Sequence, residues 1–174
     1  MLLTIWRHGE AGRAATDRRR ELTDKGFDDV GFGCHQFHAA LAARGLPPPD
    51  QVLFSPWVRT AQTARVIASA FTHAAIQELA ALRPGATAQA VEAALVGMEA
   101  SAPAPVHVVL VSHQPLVSQL VDHFLGAGNQ VPGLPPGGFA TLALEVLAPA
   151  GMAASRLLLG RGGGGPICGH GAGP

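Results

Sequence analysis

Apolar and polar positions along the chain alternate between two periods. Leu2-Leu3-Thr4-Ile5-Trp6 is a short apolar, β-favouring run that leads straight into Arg7-His8-Gly9, and it predicts a buried strand. The polar stretch from Ala11 to Glu21 predicts an irregular loop. Beyond it Thr23 is a suitable N-cap, and Phe27, Val30, Cys34, Phe37 and Leu41 recur at helical spacing on one face. Gly45 and Pro47-Pro48-Pro49 end that helix, and Gln51 to Ser55 reads as a second strand. Pro56 suits the first turn of a helix reaching about Phe71, which places Arg59 near its N-terminus. Ile76 to Gly85 reads as a connection, and Thr87 to about Met98 as a helix with Val91, Leu95 and Met98 inward.

Val106 to Ser112 is the strongest strand in the chain, and it repeats the first pattern by leading into His113-Gln114-Pro115. Leu116, Val117, Leu120, Val121 and Phe124 then form the buried face of a helix starting at Pro115. After a glycine- and proline-rich connection, Thr141 to Leu147 and Arg156 to Leu159 flank a turn at Pro149 to Gly151, which predicts an antiparallel hairpin at the sheet edge. Strands alternating with helices predict an α/β fold, a mostly parallel sheet covered on both faces. One domain over residues 1–160 is expected, with residues 161–174 as a flexible glycine-rich tail.

Composition narrows the class. A chain of 174 residues, 48% hydrophobic, can bury one sizeable core. The formal net charge is zero, so nothing global draws the protein to nucleic acid or an anionic membrane, and an anion site has to be local. Cys34 and Cys168 make no disulfide framework and fit reduced thiols. No signal-type segment opens the sequence and no stretch approaches a membrane span, so a cytoplasmic protein is expected.

The candidate chemistry lies at one sheet edge. Parallel strands bring their carboxyl ends together, where the ligand crevice of open α/β sheets lies. Arg7 and His8 follow the first strand, Arg59 opens the helix after the second, and His113 follows the Val106–Ser112 strand. Two histidines and two arginines there would make a pocket for a dianion, suited to phosphoryl transfer. One histidine would attack phosphorus in line while the arginines and the other imidazole N–H stabilise charge on the equatorial oxygens. Gly9 would let backbone approach the anion closely. Other polar residues have blander explanations: His35 and His38 as a solvated helix face rather than a metal site, His107 as a packed or edge histidine, Arg18 and Arg19 as loop charges, Gln62 and Thr63 as helix-shaping residues, and Trp6 and Trp57 as core or pocket packing.

Four segments in order, Arg7-His8-Gly9-Glu10, Arg20-Glu21-Leu22-Thr23-Asp24-Lys25-Gly26, Ser55-Pro56-Trp57-Val58-Arg59-Thr60-Ala61-Gln62-Thr63-Ala64 and Val111-Ser112-His113-Gln114-Pro115-Leu116-Val117, resemble the signatures of the histidine phosphatase superfamily, in particular its small phosphohistidine phosphatases of the SixA type. The resemblance spans residues 2 to about 125. It implies a three-layer α/β/α fold, no metal or other cofactor, phosphorylation of His8 during turnover, phosphate binding by Arg7, Arg59 and His113, a contribution from Arg20, and a phosphohistidine-bearing protein as substrate partner. Larger relatives insert segments that cover the pocket and supply a carboxylate as general acid. Here Glu78 is the nearest acid, Ala86 stands where an acid follows the glycine in SixA-like sequences, and Glu10 is a further proton carrier to consider. A phosphorylated imidazole can leave as neutral imidazole, whereas an alkoxide needs a proton, so a weakly acidic site leans towards phosphohistidine. A small-molecule phosphomonoesterase with Glu78 as acid and a non-catalytic phospho-ligand-binding module are the alternatives.

Overall fold

The computed structural model describes residues 1–100, 103–126, 132–145 and 158–160. Their strands form one six-stranded sheet. In chain order the elements are β1 (Leu2–Arg7), α1 (Asp24–Ala43), β2 (Gln51–Phe54), α2 (Val58–Ala70), β3 (Ala75–Glu78), α3 (Ala88–Glu99), β4 (His107–Ser112), α4 (Leu116–Leu125), β5 (Phe139–Ala143) and β6 (Leu158–Gly160), with short 3-10 turns at Asp17–Arg19 and Ala80–Leu82. Across the sheet the order is β3-β2-β4-β1-β5-β6. The first four of these are mutually parallel, β5 runs antiparallel to β1, and β6 antiparallel to β5.

Alternation along the strands builds the two faces. Leu3, Ile5, Leu53, Val108 and Leu110 pack with Leu82, Val91, Leu95, Leu116, Leu120 and Phe124 beneath α3 and α4. Trp6, Val52, Val109 and Val111 point the other way and pack with Val30, Phe37, Leu41, Ala64 and Ile67 of α1 and α2. The result is the expected three-layer sandwich. His107 is fully buried on β4, and its neighbours fix its tautomer: Nδ1–H donates to the Pro47 carbonyl at 2.9 Å, so Nε2 accepts from Thr4 Oγ1 at 2.8 Å, and Thr4 in turn accepts from Thr141 at 2.8 Å. It is a satisfied core histidine.

Thr23 caps α1, its hydroxyl accepting from Gly26 N, and Thr87 caps α3 by accepting from Ala90 N. The buried face of α4 is the predicted one. Several expectations need correction. Residues 75–78 form a strand rather than part of a connection; β3 is a four-residue edge strand exposed at every position, so it carries no apolar signature. On α1, Phe27 is exposed, and Gly26 and Gly33 are buried in the face next to Val30, Cys34, Phe37 and Leu41. Helix α2 begins two residues after Pro56, because Ser55-Pro56-Trp57 is held as a turn by Thr60 Oγ1, which sits 2.7 Å from the carbonyls of both Ser55 and Trp57. The antiparallel β5–β6 pair is present, although β5 itself lies inside the sheet, starting at Phe139, and β6 forms the edge. The turn between them, the 161–174 tail and Cys168 lie outside the described residues.

Candidate active site

Register brings the site together. β1 and β4 pair Arg7 with Ser112, and β2 and β4 pair Phe54 with Val111, so His8, Ser55 and His113 are each the first residue beyond a strand at the same edge. Backbone bonds continue the ladder, His8 N–H to Ser112 O at 3.1 Å and Ser55 N–H to Val111 O at 3.1 Å. Beyond β1 the chain turns sharply against α1. A Cβ on Gly9 would stand 2.6 Å from the Gly26 carbonyl oxygen, and one on Gly26 would collide with the Glu10 carbonyl. Gly9 is therefore required by close approach to a helix. Its N–H donates to Thr63 Oγ1 at 3.2 Å, and that hydroxyl donates to Arg59 O at 2.8 Å, so Thr63 ties the loop after β1 to α2. Gln62 does the same for the loop's return, its Oε1 accepting from Leu22 N–H at 2.8 Å.

The His8 ring is in one neutral tautomer. A carbonyl can only accept, so Nδ1–H donates to Gly9 O at 2.7 Å, and Nε2 accepts from Arg59 Nε–H at 3.0 Å. Burial above all pulls the His8 pKa down to about 4; the Gly9 hydrogen bond, next in size, opposes it, and the charges of Arg59, Arg7 and Arg20 add to the lowering. His113 lies edge-on to His8, ring centroids 5.1 Å apart, and its Nε2 is 2.9 Å from Ser55 Oγ. Burial, with the His8 and Arg59 charges next, lowers its pKa to about 3. At neutral pH both imidazoles are uncharged, so the positive charge of the site comes from arginine.

Two buried nitrogens at this edge have no hydrogen-bond partner among the described residues: Arg7 Nε, a donor, and His113 Nδ1, a donor in the tautomer whose Nε2 accepts from Ser55 Oγ–H. Arg7 is anchored from its other end, Nη1 donating to Leu134 O at 2.7 Å. Buried polar nitrogens are rarely left unpaired, and with Nδ1 of His113 protonated the two suit the oxygens of a tetrahedral anion. Arg59 lies over the Trp57 ring, its Cζ 4.6 Å from the ring centroid, and Trp57 also packs edge-on against His113 at 5.1 Å. Trp6, by contrast, is a core residue stacked on Phe139 at 4.4 Å.

The structure thus gathers Arg7, His8, Arg59 and His113. Arg20 is near enough for its charge to act on His8, but its nitrogens are engaged by Gly12 O at 2.6 Å, Ala11 O at 2.9 Å and Asp17 at 2.9 Å. Glu78 ends β3 with its side chain exposed. Glu10 accepts from Thr23 Oγ1 at 3.0 Å beside the α1 cap. No carboxylate of the described residues is hydrogen-bonded to His8 or His113. Sequence reasoning passed over two contributors, Ser55 and Asp17, whose carboxylate lies 3.2 Å from Arg59 Nη2, and gave Trp57 as core or pocket packing without its role as the platform for Arg59. A lone acid between Thr16 and Arg18-Arg19-Arg20 was the available signal for Asp17. Beside His113 opens a cleft of about 750 Å³, lined by Gly85, Ala86, Thr87, Gln114 and Gln119 among others; the described residues lining it include no lysine or arginine. The described residues hold no group of three His, Cys, Asp or Glu side chains placed to bind a metal.

No family model and no curated protein matches the chain. Solved structures do. The protein histidine phosphatase SixA in complex with tungstate superposes with a TM-score of 0.68 at 26% identity, over 83% of this chain and 88% of that one. The chain is similar to histidine phosphatase superfamily hydrolases and shares their fold. Two further superfamily structures have the same fold. A protein assigned as phosphohistidine phosphatase SixA from Nakamurella multipartitia matches at a TM-score of 0.70 and 22% identity over 96% of each chain. A mycobacterial glucosyl-3-phosphoglycerate phosphatase bound to VO3 matches at 0.67 and 17%, over 90% of this chain and 96% of that one. Histidine phosphatases named for a phosphorylated protein residue and for a phosphorylated sugar acid therefore fit this backbone equally well, and substrate class has to be argued from side chains. No helix among the described residues is long and apolar enough to cross a membrane.

Proposed function

We propose that the protein hydrolyses phosphohistidine on a protein through a covalent phosphoryl intermediate on His8. The observation that carries the reading is the fixed neutral tautomer of His8, with Nε2 directed to Arg59 and beside the unpaired donors Arg7 Nε and His113 Nδ1. A phosphoryl group bound there takes its equatorial oxygens onto Arg7, Arg59 and His113, with the Arg20 charge in support. For His113 to donate from Nδ1, Ser55 Oγ–H donates to Nε2, which makes Ser55 the positioning residue for that proton. The Nε2 lone pair of His8 leaves its hydrogen bond with Arg59 and forms the N–P bond, while the substrate P–N bond breaks and its electron pair goes to the leaving imidazole nitrogen. If the substrate ring already carries a proton on its other nitrogen, it departs as neutral imidazole and the enzyme supplies no proton. Water then attacks phosphorus, the O–P bond forms as the N–P bond to His8 breaks, the electron pair returns to Nε2, and the water protons leave on the product phosphate.

The environment of the carboxylates supports phosphohistidine over a phosphomonoester. Glu78 is exposed at the sheet edge, Glu10 is committed to Thr23, and Asp17 is held ionised by two arginines, so none is a poised acid. The similarity to SixA at 26% identity points the same way. The second reading, a small-molecule phosphomonoesterase with Glu78 as proton donor, is favoured by the sugar-acid phosphatase sharing the fold. Hydrolysis of a phosphohistidine-bearing peptide and of an alkyl phosphomonoester, measured side by side, separates the two. The proposal expects kcat/KM for the phosphohistidine peptide to exceed that for the monoester by at least about a hundredfold, the scale of a missing general acid. Equal or faster monoester turnover, reduced in Glu78→Gln, would overturn it.

A further inference from the structure

Between Gly12 and Arg20 the chain makes a short strap beside the phosphoryl site, closed at its neck by the Gly12 N–H to Glu21 O bond at 2.9 Å and the Ala11–Leu22 bridge. Asp17 sits on the 3-10 turn of this strap. Its carboxylate accepts from Arg20 Nη1 at 2.9 Å and from Arg59 Nη2 at 3.2 Å, and its backbone carbonyl accepts from Arg59 Nη1 at 2.7 Å. With Nε on His8, all three nitrogens of Arg59 are engaged within the chain. The two partners differ sharply in setting: the Arg59 side chain is 5% exposed, that of Asp17 55%. A carboxylate bridging two guanidinium groups presents the same charge and acceptor geometry that a phosphoryl group would bring to them.

We propose that Asp17 is a specificity-determining residue, an internal anion that competes with oxyanions for Arg59 and Arg20 and so disfavours free phosphate and substrates bearing a second anionic group at the mouth of the site. This rests on the reading of the pocket as a phosphoryl site. Phosphoryl capture exchanges the Asp17 carboxylate on Arg59 Nη2 for a phosphoryl oxygen, while Arg7 Nε–H and, with Ser55 donating to Nε2, His113 Nδ1–H donate to the ligand without losing a partner. The released carboxylate stays next to the bound group. It repels a leaving group that is itself anionic and tolerates a neutral or protonated imidazole. For the same reason product phosphate is held weakly and departs.

Equilibrium binding of inorganic phosphate, followed by calorimetry on the full chain, tests this with wild type, Asp17→Asn and Asp17→Glu. Removing the charge is expected to tighten phosphate binding about 3- to 10-fold, the scale of losing one competing, partly exposed ion pair. Asp17→Glu, which keeps the charge, is expected to stay within about twofold of wild type. A carboxylate that merely positioned Arg59 would give the opposite sign. Unchanged or weaker binding by Asp17→Asn, with wild type still binding phosphate, overturns the role of Asp17 alone. Failure of phosphate to bind any of the three overturns the phosphoryl-site reading beneath it.

Discussion

A histidine is a nucleophile only when one nitrogen keeps its lone pair, and in this protein a single backbone carbonyl decides which. Gly9 O accepts a hydrogen bond from Nδ1–H, which leaves the Nε2 lone pair directed to the site, while burial keeps the ring neutral at physiological pH. His8→Ala is expected to lower kcat by at least about a thousandfold while phosphate affinity, carried by Arg7, Arg59 and His113, falls far less. Turnover together with phosphate inhibition constants checks this, and parallel loss of both would mean that His8 binds rather than reacts. Ser55→Ala leaves His113 free to hold its proton on either nitrogen. It is expected to cost about tenfold in kcat/KM, the scale of one hydrogen bond, with little change in thermal stability. Arg7, His8, Arg59 and His113 are legible in the sequence because each follows a strand or opens a helix at the same edge. Asp17 and Ser55 are less so: the lone acid beside three arginines marks Asp17, but the bonds of the two residues to Arg59 and His113 cross 42 and 58 residues of sequence, and no local pattern records such a pairing.

At the scale of elements, the strongest constraint is the contact between the turn after β1 and the first turn of α1. Gly26 faces the Glu10 backbone, and Gly9 faces the Gly26 carbonyl and the buried Val30 side chain, so a methyl group at either has nowhere to go. Gly26→Ala is expected to destabilise the fold by about 2 kcal/mol or more, despite the better helix propensity of alanine, and to disturb His8 through Glu10. Urea unfolding measures the first effect and kcat the second; a neutral or stabilised variant would contradict the close-approach reading. Helical period and capping residues made α1, α3 and α4 legible, and continuous apolar runs did so for β1 and β4. The β3 strand was not, because a four-residue exposed edge owes its existence to the neighbouring strand β2 and carries no burial pattern of its own. Phe27 follows the α1 period yet is exposed: helical spacing identifies a face, while the width of the buried stripe depends on what packs there.

Over the whole molecule, a chain of zero formal net charge concentrates cations at one edge and surrounds them with neutral, buried imidazoles. His8, His107 and His113 all titrate below the 6.5 of an exposed imidazole, chiefly because burial penalises the charged ring. Between pH 6.5 and about 4 the unfolded chain takes up protons that the folded one refuses, so stability is complete above pH 6.5 and falls as pH drops through that window. Thermal unfolding from pH 7.5 to 4.5 should show a progressive decrease in Tm, and a flat or rising Tm would contradict neutral burial of these rings. Burial likewise pushes the Cys34 thiol up to about 12, so it is inert as a nucleophile and leaves histidine to that role. The most direct measurement of the whole account is to mix the protein with a peptide bearing radiolabelled phosphohistidine, quench in alkali within the first turnovers, and map the label. The account predicts an alkali-stable, acid-labile phosphoryl group on His8, absent from His8→Ala. Turnover without such a label, or label and turnover surviving in His8→Ala, would contradict it.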